Sequence, residues 1–307
     1  SGNMRAHPTE WSRAKRAAKA APSPPFPPLS LTTARRPLQQ ARVLAALVLA
    51  LSVVLLLSGC RSRSGSAEHS LVVAGSTSVQ PFAEKLAEIF MHRHPEANIN
   101  VQGGGSSAGI YAAQQGAAQL GASSRELLGP EKALTEIPIA FDGIAVIVHS
   151  GNPLTNLTLE QLRLIFQGKV KNWQVLGLPP HAIHLITREE GSGTREAFEV
   201  MVMQKAEITP GALVQDSNGA VRELVANDPN SLGYISVGLV DNRVKALAIE
   251  GLAPTRENIK SHAYKLVRRF LLVSQGAPTG PAKAFVDFIL SPQGQQTLET
   301  EGLVGIK

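Results

Sequence analysis

Residues 186–199 read ITREEGSGTREAFE, and the Gly-Ser-Gly-Thr at the centre of this stretch decides how the chain folds here. Apolar residues before it predict a strand over residues 184–187, and the pattern after it predicts a helix over residues 194–203. A helix N-terminus has unpaired backbone N–H groups and a partial positive charge. Glycine lets the backbone approach a ligand closely, and hydroxyl groups add donors. With Arg188 three residues before Gly191, this turn predicts an anion-binding loop.

Three more loops share this composition and position. They are GSTS at residues 75–78, GGGSSAG at residues 103–109 and GASSRE at residues 121–126. They follow strands predicted over residues 71–74, 98–102 and 119–122, and helices are predicted over residues 81–93 and up to residue 115. Repeated strand, loop and helix units predict a parallel α/β sheet. Such a sheet binds its ligand beyond the carboxyl ends of its strands, so we expect the four loops to meet at one site.

The second half of the chain continues this pattern. Thr158 and Gln161 predict a capping box that starts a helix, and SNGAVRELVAND at residues 217–228 predicts another helix. Strands are predicted over residues 137–148, 232–237, 244–249 and 264–274, the first of them interrupted at Asp142 and Gly143. Residues 281–301 predict two helices that are separated at SPQG. The sequence therefore predicts two α/β lobes.

The charge of the chain is unevenly distributed. The formal net charge is +6, but residues 1–60 contain eight lysines and arginines against one acid. The remaining 247 residues contain 22 basic and 23 acidic side chains. The body of the protein is thus nearly neutral, which argues against a nucleic-acid-binding surface. Its 43% hydrophobic residues are enough for one large or two modest cores.

An apolar run near the start of the chain predicts export. Residues 43–57 are interrupted only by Ser52 and are preceded by arginines. This run is shorter than the roughly 20 residues that a spanning helix needs and fits the apolar region of a secretory signal. It leads into LSGC at residues 57–60, which resembles a bacterial lipobox with Cys60 as the lipidated residue, a single-pass anchor being the alternative. We expect residues 1–60 to be a signal region, residues 61–69 a polar tether, and the protein to be extracytoplasmic and lipid-anchored at its only cysteine.

From about residue 71 to residue 306, the chain resembles the periplasmic phosphate-binding proteins of bacterial ABC phosphate uptake systems. The motifs that carry this resemblance are, in order, AGSTSVQPFAEKLAE, VQGGGSSAGI, GASSRE, IAFDGIAVIV, TREEGSGTREAF, SNGAV and GYIS. The resemblance implies an α/β, type II periplasmic binding protein fold: two lobes, each a mixed sheet flanked by helices, joined by two crossing strands. Residues 70–148 and 266–307 would form lobe 1, and residues 149–265 would form lobe 2. It further implies a monomeric receptor that delivers inorganic phosphate to an ABC permease, without catalysis, cofactor or metal.

The resemblance also implies which residues bind phosphate. Carried over by position, the ligands are Thr77, Ser78, Ser106, Arg188, Ser192, Gly193 and Thr194. Further candidates in or beside the loops are Ser76, Ser107, Ser124, Arg125 and Asp142. Long-chain relatives have Asp where this chain has Ser124, which leaves open which carboxylate accepts the proton of phosphate. Asp142 is the best remaining candidate, with local capping at an Asp-Gly turn as the alternative.

Other interpretations remain open at this point. A receptor for sulfate or molybdate has the same loop chemistry. GSSAG also fits the nucleophile elbow of a serine hydrolase, with Asp142 as the acid and His149, His181, His184 or His262 as the base. Arg125 is either a ligand or the partner of Glu126 or Asp142, and the turn at Asp216, Asn218 and Gly219 either borders the cleft or caps a helix. His92 and His94 lack a third metal ligand at a useful spacing.

Overall fold

The computed structural model describes residues 69–306, so the predicted signal region, Cys60 and the tether up to residue 68 lie outside the described residues. Strands β1 to β11 comprise Ser70–Gly75, Asn98–Gly103, Leu120–Ser123, Thr135–His149, Asn156–Leu157, His184–Arg188, Leu213–Gln215, Ser231–Ser236, Val244–Ala246, Ala248–Ile249 and Val267–Ser274. Helices α1 to α8 comprise Gln80–Arg93, Ser106–Gln114, Leu159–Phe166, Gly193–Phe198, Asn218–Asn227, Arg256–Lys260, Gly280–Ile289 and Pro292–Thr300. Short 3-10 turns lie at Gly129–Ala133, Trp173–Leu176 and Val237–Leu239, and a π-helical turn at Glu199–Met203 continues α4.

Most strands belong to one curled mixed sheet. Its order is β2-β1-β3-β11-β4-β8-β6-β7, and β9 also pairs with β4. On one side of the sheet β1 runs parallel to β2 and β3, and on the other side β6 runs parallel to β7 and β8. The two sides are connected by β4 and β11, which run antiparallel to each other. The first part of β4 pairs with β11 and its last part pairs with β8, so β4 passes from one side of the sheet to the other.

The two largest hydrophobic cores lie on either side of this crossing. The first contains Leu71, Leu86 and Phe285, among other residues from β1 to β3, from α1 and from α7 and α8. The second contains Phe166 and Tyr234, among other residues from the last part of β4 through α6. Val304, near the end of the chain, packs in the second core, although the elements just before it pack in the first. Each core is buried between one face of the sheet and its helices, and smaller clusters of buried residues lie on the opposite face.

The local structure agrees with the sequence pattern at most positions and differs at a few. The predicted capping box is present, since Thr158 Oγ1 accepts from Gln161 N at 3.0 Å and Gln161 Oε1 accepts from Thr158 N at 2.9 Å. The predicted interruption at Asp142 is wrong, because β4 continues through it and pairs with β11 there. The strand predicted over residues 244–249 is divided into β9 and β10, which pair with different strands. Within residues 69–306, no helix is both long enough and apolar enough to cross a membrane.

Candidate functional site

The four predicted loops meet at the carboxyl ends of their strands. Loop 1 comprises residues 75–78, loop 2 residues 103–109, loop 3 residues 121–126 and loop 4 residues 189–194. Loops 1 and 4 touch directly, because Ser78 Oγ lies 2.7 Å from Thr194 Oγ1 and Arg188 Nη2 donates to Thr77 Oγ1 at 3.1 Å. Ser76 Oγ accepts from Ser78 N at 3.2 Å and stabilises the turn of loop 1. The side of the sheet that holds the first core thus contacts the side that holds the second.

Loops 2 and 3 form a buried layer of hydroxyl groups beside this contact. Ser124 N donates to Ser106 Oγ at 3.0 Å, and Ser76 Oγ donates to Ser124 Oγ at 2.9 Å. Loop 4 packs against them so closely that a Cβ added at Gly193 would lie 2.2 Å from Ser106 Oγ and 2.7 Å from Ser124 Oγ. Only glycine fits at this position, so the backbone N–H groups at the start of α4 lie next to the hydroxyl groups.

Arg188 is the principal cation of the site. It is the last residue of β6, and only 1% of it is exposed. Its Nε and Nη2 donate to the two carboxylate oxygens of Glu189 at 2.8 and 2.9 Å. Its Nη1 is buried and has no hydrogen-bond partner among the described residues. A buried donor without an acceptor is costly, so Nη1 is a ready donor to an anion held between the loops.

Loop 4 is held in place by the N-cap of α4 and by aromatic packing against β8. Ser192 is the N-cap residue of α4, since its side chain accepts from the backbone N–H of Arg195. Tyr234 on β8 stacks on Phe198 with a centroid distance of 4.1 Å, and its hydroxyl lies 2.6 Å from Thr187 Oγ1. Burial raises the pKa of Tyr234 to about 12, so its hydroxyl stays protonated and neutral at physiological pH. The end of β6 is therefore fixed by a neutral pair of hydroxyl groups at Thr187 and by Arg195 of α4, whose Nη1 donates to the carbonyl of Arg188 at 3.0 Å.

A second guanidinium, which the sequence did not predict, borders the site. Arg268 on β11 pairs with Asp142 on β4, and its Nε donates to Asp142 Oδ2 at 2.8 Å. Its Nη2 donates to Ser78 Oγ at 3.2 Å and its Nη1 to the carbonyl of Ser124 at 3.3 Å. Arg268 thus connects the two crossing strands to loops 1 and 3. The signal in the sequence is weak, because Arg268 is one of two adjacent arginines in the mostly apolar stretch VRRFLLVS.

Asp142 serves as the counter-ion of Arg268. Its side chain is fully buried, and Oδ1 accepts from Ser236 Oγ at 2.7 Å while Oδ2 accepts from Arg268. Burial raises the pKa of Asp142, and Arg268 and Ser236 oppose this shift. The alternative interpretation, local capping at an Asp-Gly turn, is wrong, because Asp142 lies inside a strand. Both oxygens are occupied by donors of the protein, which favours a counter-ion role over acceptance of a phosphate proton.

Asn218, at the start of α5, also belongs to the site. Its Nδ2 donates to Ser78 Oγ at 2.9 Å and to Thr77 Oγ1 at 3.2 Å, and its Oδ1 accepts from Ser236 N at 3.1 Å. Both interpretations of this turn hold, because Asn218 contacts loop 1 while the neighbouring Ser217 caps α5, its Oγ accepting from Ala220 N at 3.2 Å. The adjacent Asp216 contributes its carbonyl, which accepts from the guanidinium of Arg188 at 3.2 Å.

Arg125 has different partners from those predicted. It pairs with neither Glu126 nor Asp142: its Nη1 and Nη2 donate to Glu131 at 2.6 and 2.9 Å. Its Nε also lies 2.7 Å from a carboxylate oxygen of Glu196 on α4. The predictions failed here because Glu126 instead pairs with the neighbouring Arg269, while Asp142 is occupied by Arg268.

The candidate hydrolase residues and metal ligands do not come together in the arrangement that a serine hydrolase or a metal site needs. Ser107 Oγ accepts from Arg125 Nη2 at 3.1 Å, so its neighbour is a cation that cannot act as a general base. His149 accepts from Gly151 N, and His184 pairs with Asp228. Among residues 69–306 there is no group of three or more His, Cys, Asp or Glu side chains that would suit a metal ion.

Comparisons with known proteins agree with this geometry. The sequence profile of the PBP superfamily domain matches residues 62–293. The phosphate-binding protein PstS of Bacillus subtilis is 34% identical over 240 residues, which cover 76% of this chain and 80% of that protein. A crystal structure of a phosphate ABC transporter substrate-binding protein from Clostridium perfringens, with bound phosphate, is 42% identical with a TM-score of 0.76 and covers 78% of this chain and 100% of that one. An ABC-type phosphate transport receptor from Vibrio cholerae is 37% identical with a TM-score of 0.65 and covers 76% of this chain and 99% of that one.

The fold and the site define a two-lobed binding protein, with loops from both lobes converging on a cluster of buried hydroxyl and guanidinium groups. The predicted fold class and the resemblance are thereby confirmed. The chain belongs to the PBP superfamily and, within it, to the family of the PstS phosphate-binding proteins.

Proposed function

We propose that this protein is an extracytoplasmic receptor that binds inorganic phosphate between its two lobes and delivers it to an ABC permease. The observation that carries the proposal is Arg188, whose buried Nη1 has no partner among the described residues. Its Nη2 contacts Thr77 of the opposite lobe, so the free donor lies where loops 1 and 4 meet. A guanidinium offers charge-assisted and bidentate hydrogen bonds to phosphate oxygens.

The charged side chains near Arg188 Nη1 favour binding of the anion by hydrogen-bond donors rather than by an excess of positive charge. Arg188 is paired with Glu189, and Arg268 is paired with Asp142. The two pairs are together electrically neutral, so hydroxyl and backbone N–H groups of the loops are proposed to stabilise the anion together with the free Nη1 of Arg188. The proposed ligands are Thr77, Ser78, Ser106, Arg188, Ser192, Gly193 and Thr194, with Ser76, Ser124 and Arg268 as their support.

Lobe closure is the proposed means of signalling to the permease. We assign residues 70–148 and 266–307 to lobe 1 and residues 149–265 to lobe 2. The two hydrophobic cores agree with this assignment for most residues, but Ile144, Val146, Val148, Leu266 and Val304 pack in the second core, so the last part of β4 belongs with lobe 2. Ligands come from both lobes, so phosphate interacts more strongly with the closed form and shifts the equilibrium towards it. A permease that contacts both lobes would then select the loaded receptor. The receptor is proposed to act as a monomer without a cofactor.

Isothermal titration calorimetry of phosphate-stripped protein with phosphate, sulfate and molybdate tests the proposal. We expect one phosphate per chain, with sulfate and molybdate bound at least about tenfold more weakly, which corresponds to about 1.4 kcal/mol. Tighter binding of sulfate or molybdate would instead assign the protein to another oxyanion. Absence of anion binding, together with esterase activity that is lost in Ser107→Ala, would favour the hydrolase.

We further propose that Cys60 is lipidated and anchors the receptor to a membrane. The support is its position directly after an apolar run that ends in LSGC. Intact-mass analysis of protein from membranes should find a diacylglyceryl group on an N-terminal Cys60. A mature chain that starts upstream of Cys60 and carries a free thiol would exclude this anchor.

A further inference from the structure

An ion pair between Arg125 and Glu196 joins the two lobes beside the anion site. Arg125 follows β3 in lobe 1, next to Leu127 of the first lobe's packing, and its side chain is 5% exposed. Glu196 lies on α4 in lobe 2, next to Phe198 of the second core. The distance from Arg125 Nε to Glu196 Oε2 is 2.7 Å, although this N–H does not point at the oxygen well enough to form a hydrogen bond. The contact is therefore chiefly electrostatic.

Arg125 is held in place by its own lobe. Glu131, on the 3-10 turn Gly129–Ala133, accepts from Nη1 and Nη2, and it also accepts from the backbone N–H of Leu128 at 2.9 Å. This arrangement leaves the Nε edge of the guanidinium facing lobe 2. When the lobes separate, Arg125 keeps Glu131 as its partner, whereas Glu196 loses its cation. The interlobe half of the cluster therefore exists only in the closed form.

Glu196 is connected to the phosphate ligands through its helix. It lies two residues after Thr194 and three after Gly193, on the same α4. On the other side, Arg125 Nη2 donates to Ser107 Oγ, and Ser107 N donates to the carbonyl of Gly191 at 3.1 Å. A ligand that draws loop 4 towards loops 2 and 3 thus also brings Glu196 to Arg125. Burial raises the pKa of Glu196, Arg125 opposes this shift, and the nearby carboxylates of Glu131 and Glu199 add to it.

We propose that Arg125 and Glu196 form an interlobe ion pair that slows phosphate release without contacting phosphate. This inference rests on the proposed function, because it assigns a role to residues beside the same site. Arg125 then acts as a positioning residue, in contrast to the ligand role that loop 3 also permits. The two roles give opposite results when Glu196 is neutralised. Loss of an interlobe contact speeds phosphate release, whereas freeing an anion-binding arginine from a carboxylate strengthens phosphate binding.

The test is stopped-flow phosphate binding with wild type, Glu196→Gln and the matched control Glu199→Gln. Glu199 pairs with Arg195 at 2.8 Å on the same helical segment, and both residues belong to lobe 2. We expect Glu196→Gln to raise the dissociation rate about threefold to tenfold with little change in the association rate, since contact losses act mainly on dissociation. Glu199→Gln is expected to leave both rates unchanged.

Three outcomes overturn the inference. Unchanged dissociation in Glu196→Gln would show that the ion pair does not hold the closed form, and tighter phosphate binding would make Arg125 a ligand. An equal effect of Glu199→Gln would show that both variants act only by destabilising α4. Failure of the wild type to bind phosphate would instead contradict the proposed function, so the two failures are distinguishable.

Small-angle scattering of phosphate-loaded Glu196→Gln should also find a larger open fraction than in the wild type.

Discussion

Replacement of Arg268 by methionine should destabilise the protein far more than the same replacement at the adjacent Arg269. The two arginines are neighbours on β11, but their surroundings differ. The side chain of Arg268 is 2% exposed and faces the fully buried Asp142, whereas the side chain of Arg269 is 33% exposed and faces a glutamate that is 55% exposed. Removal of one partner of a buried ion pair typically costs about 3–5 kcal/mol, because it leaves an uncompensated charge. An exposed pair contributes about 0–1 kcal/mol.

Urea unfolding followed by circular dichroism, in phosphate-free buffer so that ligand binding does not contribute, measures this difference. We expect Arg268→Met to lose about 3–5 kcal/mol and Arg269→Met less than about 1 kcal/mol. The double variant Arg268→Met/Asp142→Asn should be less destabilised than the sum of its single variants, since the second change removes the unpaired charge. Equal losses in Arg268→Met and Arg269→Met would refute the assignment of a buried pair at the strand crossing.

Four further results are expected. Arg188→Ala should weaken phosphate binding about tenfold to a hundredfold in calorimetry, and Arg188→Lys should recover little of the lost affinity. Wild-type affinity in the alanine variant would show that Arg188 does not bind phosphate. Gly193→Ala should reduce phosphate affinity, because its Cβ would lie 2.2 Å from Ser106 Oγ, while Gly219→Ala, whose Cβ meets no atom within 4 Å, should not. A hydrogen-bonded arginine holds the pKa of Glu131 below its usual 4.5, so the stability from this pair is present above that pH and lost as the pH falls through the folded-state value. Glu131→Gln should then lose less unfolding free energy than wild type between about pH 6 and about pH 3. Phosphate affinity should change only modestly with salt, because the donors are buried, and a log–log slope of several units would indicate an exposed basic surface instead.

The four loops were predictable from the sequence because each is determined locally. A strand, a run of Gly, Ser and Thr, and a helix lie next to one another in the chain, and the topology of an α/β sheet then places the loops together. Thr77, Ser78, Ser106, Arg188 and Thr194 accordingly lie where the pattern predicts. The capping box before α3 was predictable for the same reason, since its residues are three positions apart.

The charge pairs were not predictable, because they depend on contacts between distant segments. Arg268 is 126 positions from Asp142, and only the pairing of β4 with β11 brings them together. The Asp-Gly signal for a turn was overridden by this pairing and by burial. Arg125 has four carboxylates as candidates, and its choice of Glu131 and Glu196 depends on a 3-10 turn and on the approach of the second lobe. The partners of the charged side chains can thus be identified only from the tertiary structure, whereas the loops that supply hydrogen-bond donors can be predicted from the sequence.

The most direct test of the central claim is a crystal structure of the protein grown with phosphate. We expect tetrahedral density where the four loops meet, with a phosphate oxygen within about 3 Å of Arg188 Nη1, the usual range of an N–H···O bond. The same phosphate should also contact hydroxyl or backbone donors of loops 1, 2 and 4. A fully occupied phosphate elsewhere on the molecule, with Arg188 Nη1 bonded to another protein group, would contradict it.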